Sequence, residues 1–162
     1  ESYIQRVDIF LKKKLYYEAL NDFDQIIVLQ PDTNIWLLKR GLLKIKLLKY
    51  DEALTDINEY ISYEKNNSLA YRSRGIIHLN FGNFENACSD LLISKNLNDN
   101  KTEKLLDFIN SKNPNICNSI EIKTSNNSNK NMKEFSIKEL EIKKECNKNT
   151  FVMFDDKKSC FN

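Results

Sequence analysis

The side chains able to do covalent or metal chemistry are few and scattered. Four cysteines, Cys88, Cys117, Cys146 and Cys160, share the 162 residues with one histidine, His78. There is no Cys-x-x-Cys pair, and one imidazole among dispersed thiols lacks the ligand spacing of a zinc site, so no metal is expected. A serine or cysteine nucleophile needs a base oriented beside it, and a single histidine pairs convincingly with none of those present. Glycine-rich phosphate loops, a Gly-x-Ser-x-Gly elbow and a His-Glu-x-x-His helix are all missing from the sequence. The acidic pairs Asp51–Glu52 and Asp155–Asp156 stand where helix starts and turns place such residues. We therefore expect no catalytic residue, no cofactor and no enzymatic activity.

If the chain does not work by chemistry, its elements must work by shape. With 41% hydrophobic and 30% charged residues it can bury a core of one domain's size. Its longest apolar stretch, IWLLKRGLLKIKLL, is interrupted by Lys39, Arg40, Lys44 and Lys46, which excludes a membrane-spanning helix. The formal net charge is +2, with 13 basic and 14 acidic side chains in residues 1–100 and 12 basic and 9 acidic in residues 101–162. Neither part is basic enough to neutralise a phosphate backbone, so no nucleic-acid partner is expected. The abundance of Asn, Lys and Ile is a compositional background. A start at Glu1 rather than Met reads as a processed or trimmed chain.

Gly41 and Gly75 are 34 residues apart, and the same interval relates four further columns. These are Ala19, Ala53 and Ala87; Tyr16, Tyr50 and Phe84; Asp22, Asp56 and Asp90; and Phe23, Ile57 and Leu91. Such a period means two helices and two turns per unit, each unit burying its apolar face only against a neighbour. The pattern resembles the tetratricopeptide repeat over roughly residues 1–100. The matching residues are Tyr71, Gly75, Phe84, Ala87 and Leu91 in the third unit and Leu37, Gly41, Tyr50, Ala53 and Ile57 in the second. Tyr3, Tyr16, Ala19, Phe23 and Pro31 match in the first, where Val7 holds the position of the small residue. Val7 and Lys65 depart from it, the first where a small residue is usual and the second where proline is. The resemblance implies an all-α superhelix of helical hairpins. Val7 would hold its pair of helices slightly further apart.

Physical reasoning gives the same picture. A mid-helix glycine costs about 1 kcal/mol relative to alanine, so Gly41 and Gly75 need close approach of a facing helix, which Ala53 and Ala87 would allow. LKYDEA and FGNFENA put an aromatic residue at the start of a second helix, and QPD separates two units. KTEKLLDFINSKNPN reads as a capping helix with Thr102 as its cap, an apolar face of Leu105, Leu106, Phe108 and Ile109, and an end at Pro114. Two segments follow: residues 1–114 as repeats and cap, and residues 115–162 as a tail or small β appendage. In the latter, Thr150–Phe154 is a strand candidate bounded by DDKKS, while EFSIKELEIKKEC reads either as a bulged strand or as a helix.

On the repeat arrangement, Cys88 near a helix start and Cys117 after the antiparallel cap come to the same end, so a bridge between them is reasonable. Cys146 and Cys160 would then flank the strand. The element ACSDL with a later cysteine resembles exported bacterial members of the family, which implies an extracytoplasmic chain. The alternative is a cytoplasmic one with Cys88 as a small buried residue.

The resemblance further implies that the first helix of each unit lines a concave groove. Here that gives Leu38, Leu42, Ile45, Lys46, Leu69, Arg72, Ile76 and Leu79, joined by Ile4, Asp8, Leu11, Lys12, Ile35 and Asn80. So apolar a stripe points to a protein or peptide partner of apolar character, unless part of it is interhelical core. The residues that grip a chaperone's acidic terminus in some members are absent: Ile4, Asp8, Lys39, Leu69 and Ser73 stand there. Lys46 and Arg72 could still hold one carboxylate. Two alternatives remain open. The aromatic tail could occupy the groove, making a self-occluded module, or the outer face of the first repeat could pair with further helices or another copy.

Overall fold

Apolar residues recurring at helical spacing fold into a run of antiparallel helical hairpins. The computed structural model of the chain describes residues 2–118 and 120, and the backbone of strands at 151–154 and 157–160. Its helices are α1 (Tyr3–Lys12), α2 (Tyr16–Leu29), α3 (Ile35–Lys46), α4 (Tyr50–Tyr63), α5 (Ser68–Asn80), α6 (Phe84–Asn96) and α7 (Glu103–Lys112), the last preceded by a 3-10 turn at Asn100–Thr102. Hairpins α1–α2, α3–α4 and α5–α6 stack in chain order, and α7 packs on α6. The chain divides into two units, Glu1–Glu121 and Ile122–Asn162. Within the second, β1 (Phe151–Phe154) pairs antiparallel with β2 (Lys157–Cys160), Phe151 opposite Cys160. Of the strand expected at Thr150–Phe154, the part Phe151–Phe154 is present, Thr150 lies outside the described residues, and KKSC, which overlaps the expected boundary, supplies its partner. The segment 134–146, EFSIKELEIKKEC, lies outside the described residues.

Each hairpin turns in the same way because the same column reverses the chain. Lys14, Leu48 and Gly82 follow the ends of α1, α3 and α5 with φ of 59°, 59° and 72°. The next amide then donates five residues back: Leu15 to the Phe10 carbonyl, Lys49 to Lys44 and Asn83 to His78, at 2.9, 2.9 and 2.8 Å. These bonds satisfy carbonyls that the helix end would leave open. The aromatic residues Tyr16, Tyr50 and Phe84 are the first residues of the returning helices, as the sequence implied.

Gly41 and Gly75 sit against larger neighbours than expected. A Cβ on Gly41 would lie 2.9 Å from Ile57 Cγ1, and one on Gly75 would lie 3.0 Å from Leu91 Cγ. The space the glycines provide is filled by the branched side chain of the facing helix, while Ala53 and Ala87 present backbone carbonyls at 3.5 and 3.4 Å. Thr102 also departs from expectation. Its hydroxyl donates to the Asp99 carbonyl at 2.6 Å rather than capping α7, and the Asp99 carboxylate accepts from the Lys101 amide at 3.0 Å. Leu106 and Ile109 are the buried face of α7, with Leu105 and Phe108 half-buried.

A column that the sequence reading passed over ties the hairpins internally. Arg6, Arg40 and Arg74 repeat at the 34-residue period, and each forks onto the aspartate of its own returning helix. Arg6 Nε and Nη2 reach Asp22 at 2.8 and 2.6 Å, Arg40 reaches Asp56 at 2.9 and 2.6 Å, and Arg74 reaches Asp90 at 2.8 and 2.8 Å. A second branch crosses to the preceding hairpin: Arg40 Nη1 donates to Asp24 at 2.7 Å and Arg74 Nη1 to Asn58 at 2.9 Å. Planar forks of this kind match carboxylate geometry, which is why arginine rather than lysine occupies the column.

Candidate functional site

The helices that open each hairpin carry the residues expected to line a groove, and the structure distributes them unevenly. Leu38 and Ile45, 3% and 1% exposed, belong to the core between the second and third hairpins. The reason is packing: α3 lies in closer contact with α5 than with α1, so side chains pointing toward α5 are enclosed. Leu69 and Ile76 are half-buried against that same core, and Leu79 against the one that α6 and α7 share. Arg72 is committed to Asp99, its Nη1 donating at 3.1 Å, and Asp99 also accepts from the Ser94 hydroxyl at 3.3 Å. It is therefore no ready receptor for a ligand carboxylate. Asn80 turns its amide onto the Ile76 carbonyl at 2.8 Å, while Lys12 and Ile35 are exposed.

Leu42 and Lys46 form part of an open depression of about 440 Å³ between the first and second hairpins. One rim is α1, with Ile4, Asp8 and Leu11; the other is α3, with Lys39, Leu42 and Lys46. Beneath them the floor is core: Val7, Phe23, Trp36 and Leu43. The indole of Trp36 is fixed on two sides. It packs against Phe23 with ring centroids 6.2 Å apart, and its Nε1 donates to Gln30 Oε1 at 3.0 Å. Sequence reasoning named the rim but missed this floor. The available signal was that Trp36 stands where the third unit has Ala70, a change of size that alters how far apart two hairpins must sit.

Electrostatics on the rim are unbalanced. Lys39 Nζ rests over the Trp36 ring at 4.4 Å and Lys46 Nζ over the Tyr16 ring at 4.8 Å. Among the described residues neither ammonium has a carboxylate partner, nor has Asp8 a cation. Arg6, Arg40 and Lys44 of α1 and α3 instead face into the ladder, where Lys44 joins Arg40 on Asp56 with its Nζ at 2.9 Å. His78 occupies the column of Lys44, with Nε2 3.7 Å from Asp90 Oδ2. Burial pushes its imidazole below the ordinary range; Asp90 pulls it up and Arg74 pushes it further down. That places His78 in a structural setting within a hairpin.

Cys88 and Cys117 are joined in a disulfide with Cα atoms 5.5 Å apart, fastening the segment after α7 to α6. Cys146, and the side chain of Cys160, lie outside the described residues. Among the described residues no group of three or more His, Cys, Asp or Glu is placed to hold a metal, and no helix is long and apolar enough to cross a membrane.

Comparison with solved structures gives a consistent set of neighbours. The second repeat domain of human RPAP3, solved with the HSP70 peptide SGPTIEEVD, matches 67% of this chain and 92% of its own at 23% identity and a TM-score of 0.61. The fold is that of a tetratricopeptide-repeat domain. A second repeat structure, the Yersinia enterocolitica type III secretion chaperone SycD with a peptide of the translocator YopD, matches 68% of this chain and 91% of its own at 17% identity and a TM-score of 0.63. MamA from Desulfovibrio magneticus matches 68% at 19% identity and a TM-score of 0.64, and the chain spans 63% of that protein. No protein-family model and no curated protein matches the chain. In repeat terms, the depression lies between repeats one and two, and α7 packs on the second helix of repeat three.

Proposed function

We propose that this tetratricopeptide-repeat domain is a non-enzymatic interaction scaffold that holds a peptide segment of a protein partner in the groove formed by α1 and α3. The observation that carries this reading is the open depression, whose rim leaves Ile4, Leu11 and Leu42 half-exposed over a buried apolar floor. Concave apolar surface with a few polar groups at its edge is the usual form of a binding site. Support also comes from the neighbours that hold peptides of a chaperone and of a secretion translocator. The test is selection of a displayed peptide library on the purified chain, followed by titration of the selected peptides against Leu42→Glu. Loss of binding with an unchanged helical circular dichroism signal is the expected result. Undiminished binding by the variant would remove the groove from the proposal.

The disulfide supports an extracytoplasmic location, because such bridges persist where the compartment is oxidising. Intact mass of the protein isolated under non-reducing conditions, with thiols alkylated first, decides it. Cys88 linked to Cys117 agrees with this reading, and alkylation of both places the chain in a reducing compartment.

A further inference from the structure

The two joints between hairpins are built from the same columns, yet among the described residues they differ in how far they close. Shifting the rim residues of the first joint by one 34-residue period turns Ile4 into Leu38, Leu11 into Ile45, Asp8 into Leu42 and Lys39 into Ser73. In the second joint three of these positions close: Leu38, Ile45 and Ser73 are 3%, 1% and 3% exposed, whereas Leu42 stays half-exposed, as Ile4 and Leu11 do in the first. On the floor, the same shift turns Trp36 into Ala70. The indole packs on Phe23 and Gln30 at the floor of the first joint, while Ala70 is fully buried in the core of the second. Among the described residues, the first joint thus holds an open depression where the second encloses Leu38 and Ile45.

We propose that this first joint is an anchor pocket for a peptide that presents one large apolar side chain with carboxylates beside it, the apolar group entering between α1 and α3 and a carboxylate pairing with Lys39 and Lys46. This deepens the interaction reading above and rests on it. Apolar selection follows from the floor, since a polar side chain pressed onto Phe23, Trp36 and Leu43 would lose its water without a partner. Acidic selection follows from charge. Both ammonium groups are placed by aromatic faces rather than by carboxylates, so an incoming carboxylate displaces no ion pair and gains a charge-assisted hydrogen bond. Asp8, on the opposite rim, repels an acid set against α1 and so fixes the carboxylate on the α3 side. A basic peptide would meet two uncompensated cations on that side.

The chain carries a reporter, because Trp36 is its only tryptophan and forms part of the pocket floor. Three short synthetic peptides with blocked ends are titrated against the full chain: one with a central leucine flanked by aspartate and glutamate, one with that leucine replaced by alanine, and one with both acids replaced by lysine. Binding is followed by Trp36 emission and independently by anisotropy of dye-labelled peptide. The first peptide is expected to shift the emission saturably, with the other two weaker by about tenfold or more. In the variant combining Lys39→Glu with Lys46→Glu, both solvent-side substitutions, the preference is expected to reverse toward the lysine peptide. Saturable anisotropy that leaves Trp36 emission unmoved and ignores the charge reversal overturns the anchor pocket while leaving groove binding standing. Absence of binding by all three peptides, together with an empty library selection, overturns both.

Discussion

Replacing Asp22, Asp56 and Asp90 one at a time by alanine should give three different losses of stability. All three carboxylates are nearly inaccessible, with side chains 1%, 3% and 5% exposed, so the difference comes from the cations each would leave behind. Removing Asp56 leaves Arg40 and Lys44, whose side chains are 17% and 12% exposed, with only the exposed Asp24 and with Glu52 at 3.9 Å, respectively. Breaking one side of a buried pair costs about 3–5 kcal/mol, and Asp56 belongs in that range. Asp90 leaves Arg74 at 23% exposure and a His78 that burial keeps largely neutral at pH 7, which argues for the lower part of the range, about 3 kcal/mol. Asp22 leaves Arg6 at 39% exposure, where water compensates more of the lost fork, and about 1–3 kcal/mol is expected. The assay is urea denaturation followed by circular dichroism at pH 7, with coincidence of near- and far-ultraviolet transitions checked, because repeat arrays can lose two-state behaviour. A loss for Asp22→Ala equal to that for Asp56→Ala would refute the reasoning, as would three losses all below about 1 kcal/mol.

Three smaller predictions follow from single positions. Leu48→Gly should raise stability by about 0.5–1 kcal/mol because leucine is held at φ 59° with an exposed side chain, whereas Gly82→Ala should lower it by a similar amount; the midpoint of urea unfolding reads both. Tyr50→Phe should be neutral or stabilising by up to about 1 kcal/mol in the same assay, since the Tyr50 hydroxyl is buried without a hydrogen-bond partner and the third repeat already has Phe84 in that column. The depressed His78 pKa makes the unfolded chain take up the proton first. Its stabilising contribution is therefore complete above pH 6.5 and is lost as pH falls from there through the folded value. Thermal melting should show a steeper decline in acid for the native chain than for His78→Gln, and parallel declines would count against it.

How much of this was legible in the sequence depends on whether a column encodes shape or pairing. The period emerged from Gly41, Gly75 and the alanine and aromatic columns because small and ring-bearing residues are constrained by backbone approach. Arg6, Arg40 and Arg74 obey the same period, yet they were passed over because charged residues are usually read as solvated surface. Their meaning becomes visible only when Asp22, Asp56 and Asp90 face them across the hairpin. Two of the residues expected to line a groove, Leu38 and Ile45, are core. They are enclosed with Ala70, Tyr71 and Ile77 of the third hairpin, and burial by a neighbouring hairpin is not written in the residues it affects. Gly82 marks its turn plainly, while Lys14 and Leu48 adopt the same left-handed conformation with side chains that give no such sign.

The arginine ladder also decides how this stack comes apart. Arg40 ties the second hairpin to the first through the carboxylate of Asp24, and Arg74 ties the third to the second through the uncharged amide of Asn58. Asp24 is 56% exposed, so the first tie is weakened by salt, and the joint it spans is the one with an unfilled space. In a linear array whose units are held by nearest neighbours, such a joint is where fraying begins. Amides of α1 and α2 should therefore exchange with solvent ahead of those in α3 to α6, and increasingly so as ionic strength rises. A segment lodged between α1 and α3 would splice the first hairpin back onto the rest, so occupancy of the pocket would be felt as cooperativity along the whole array.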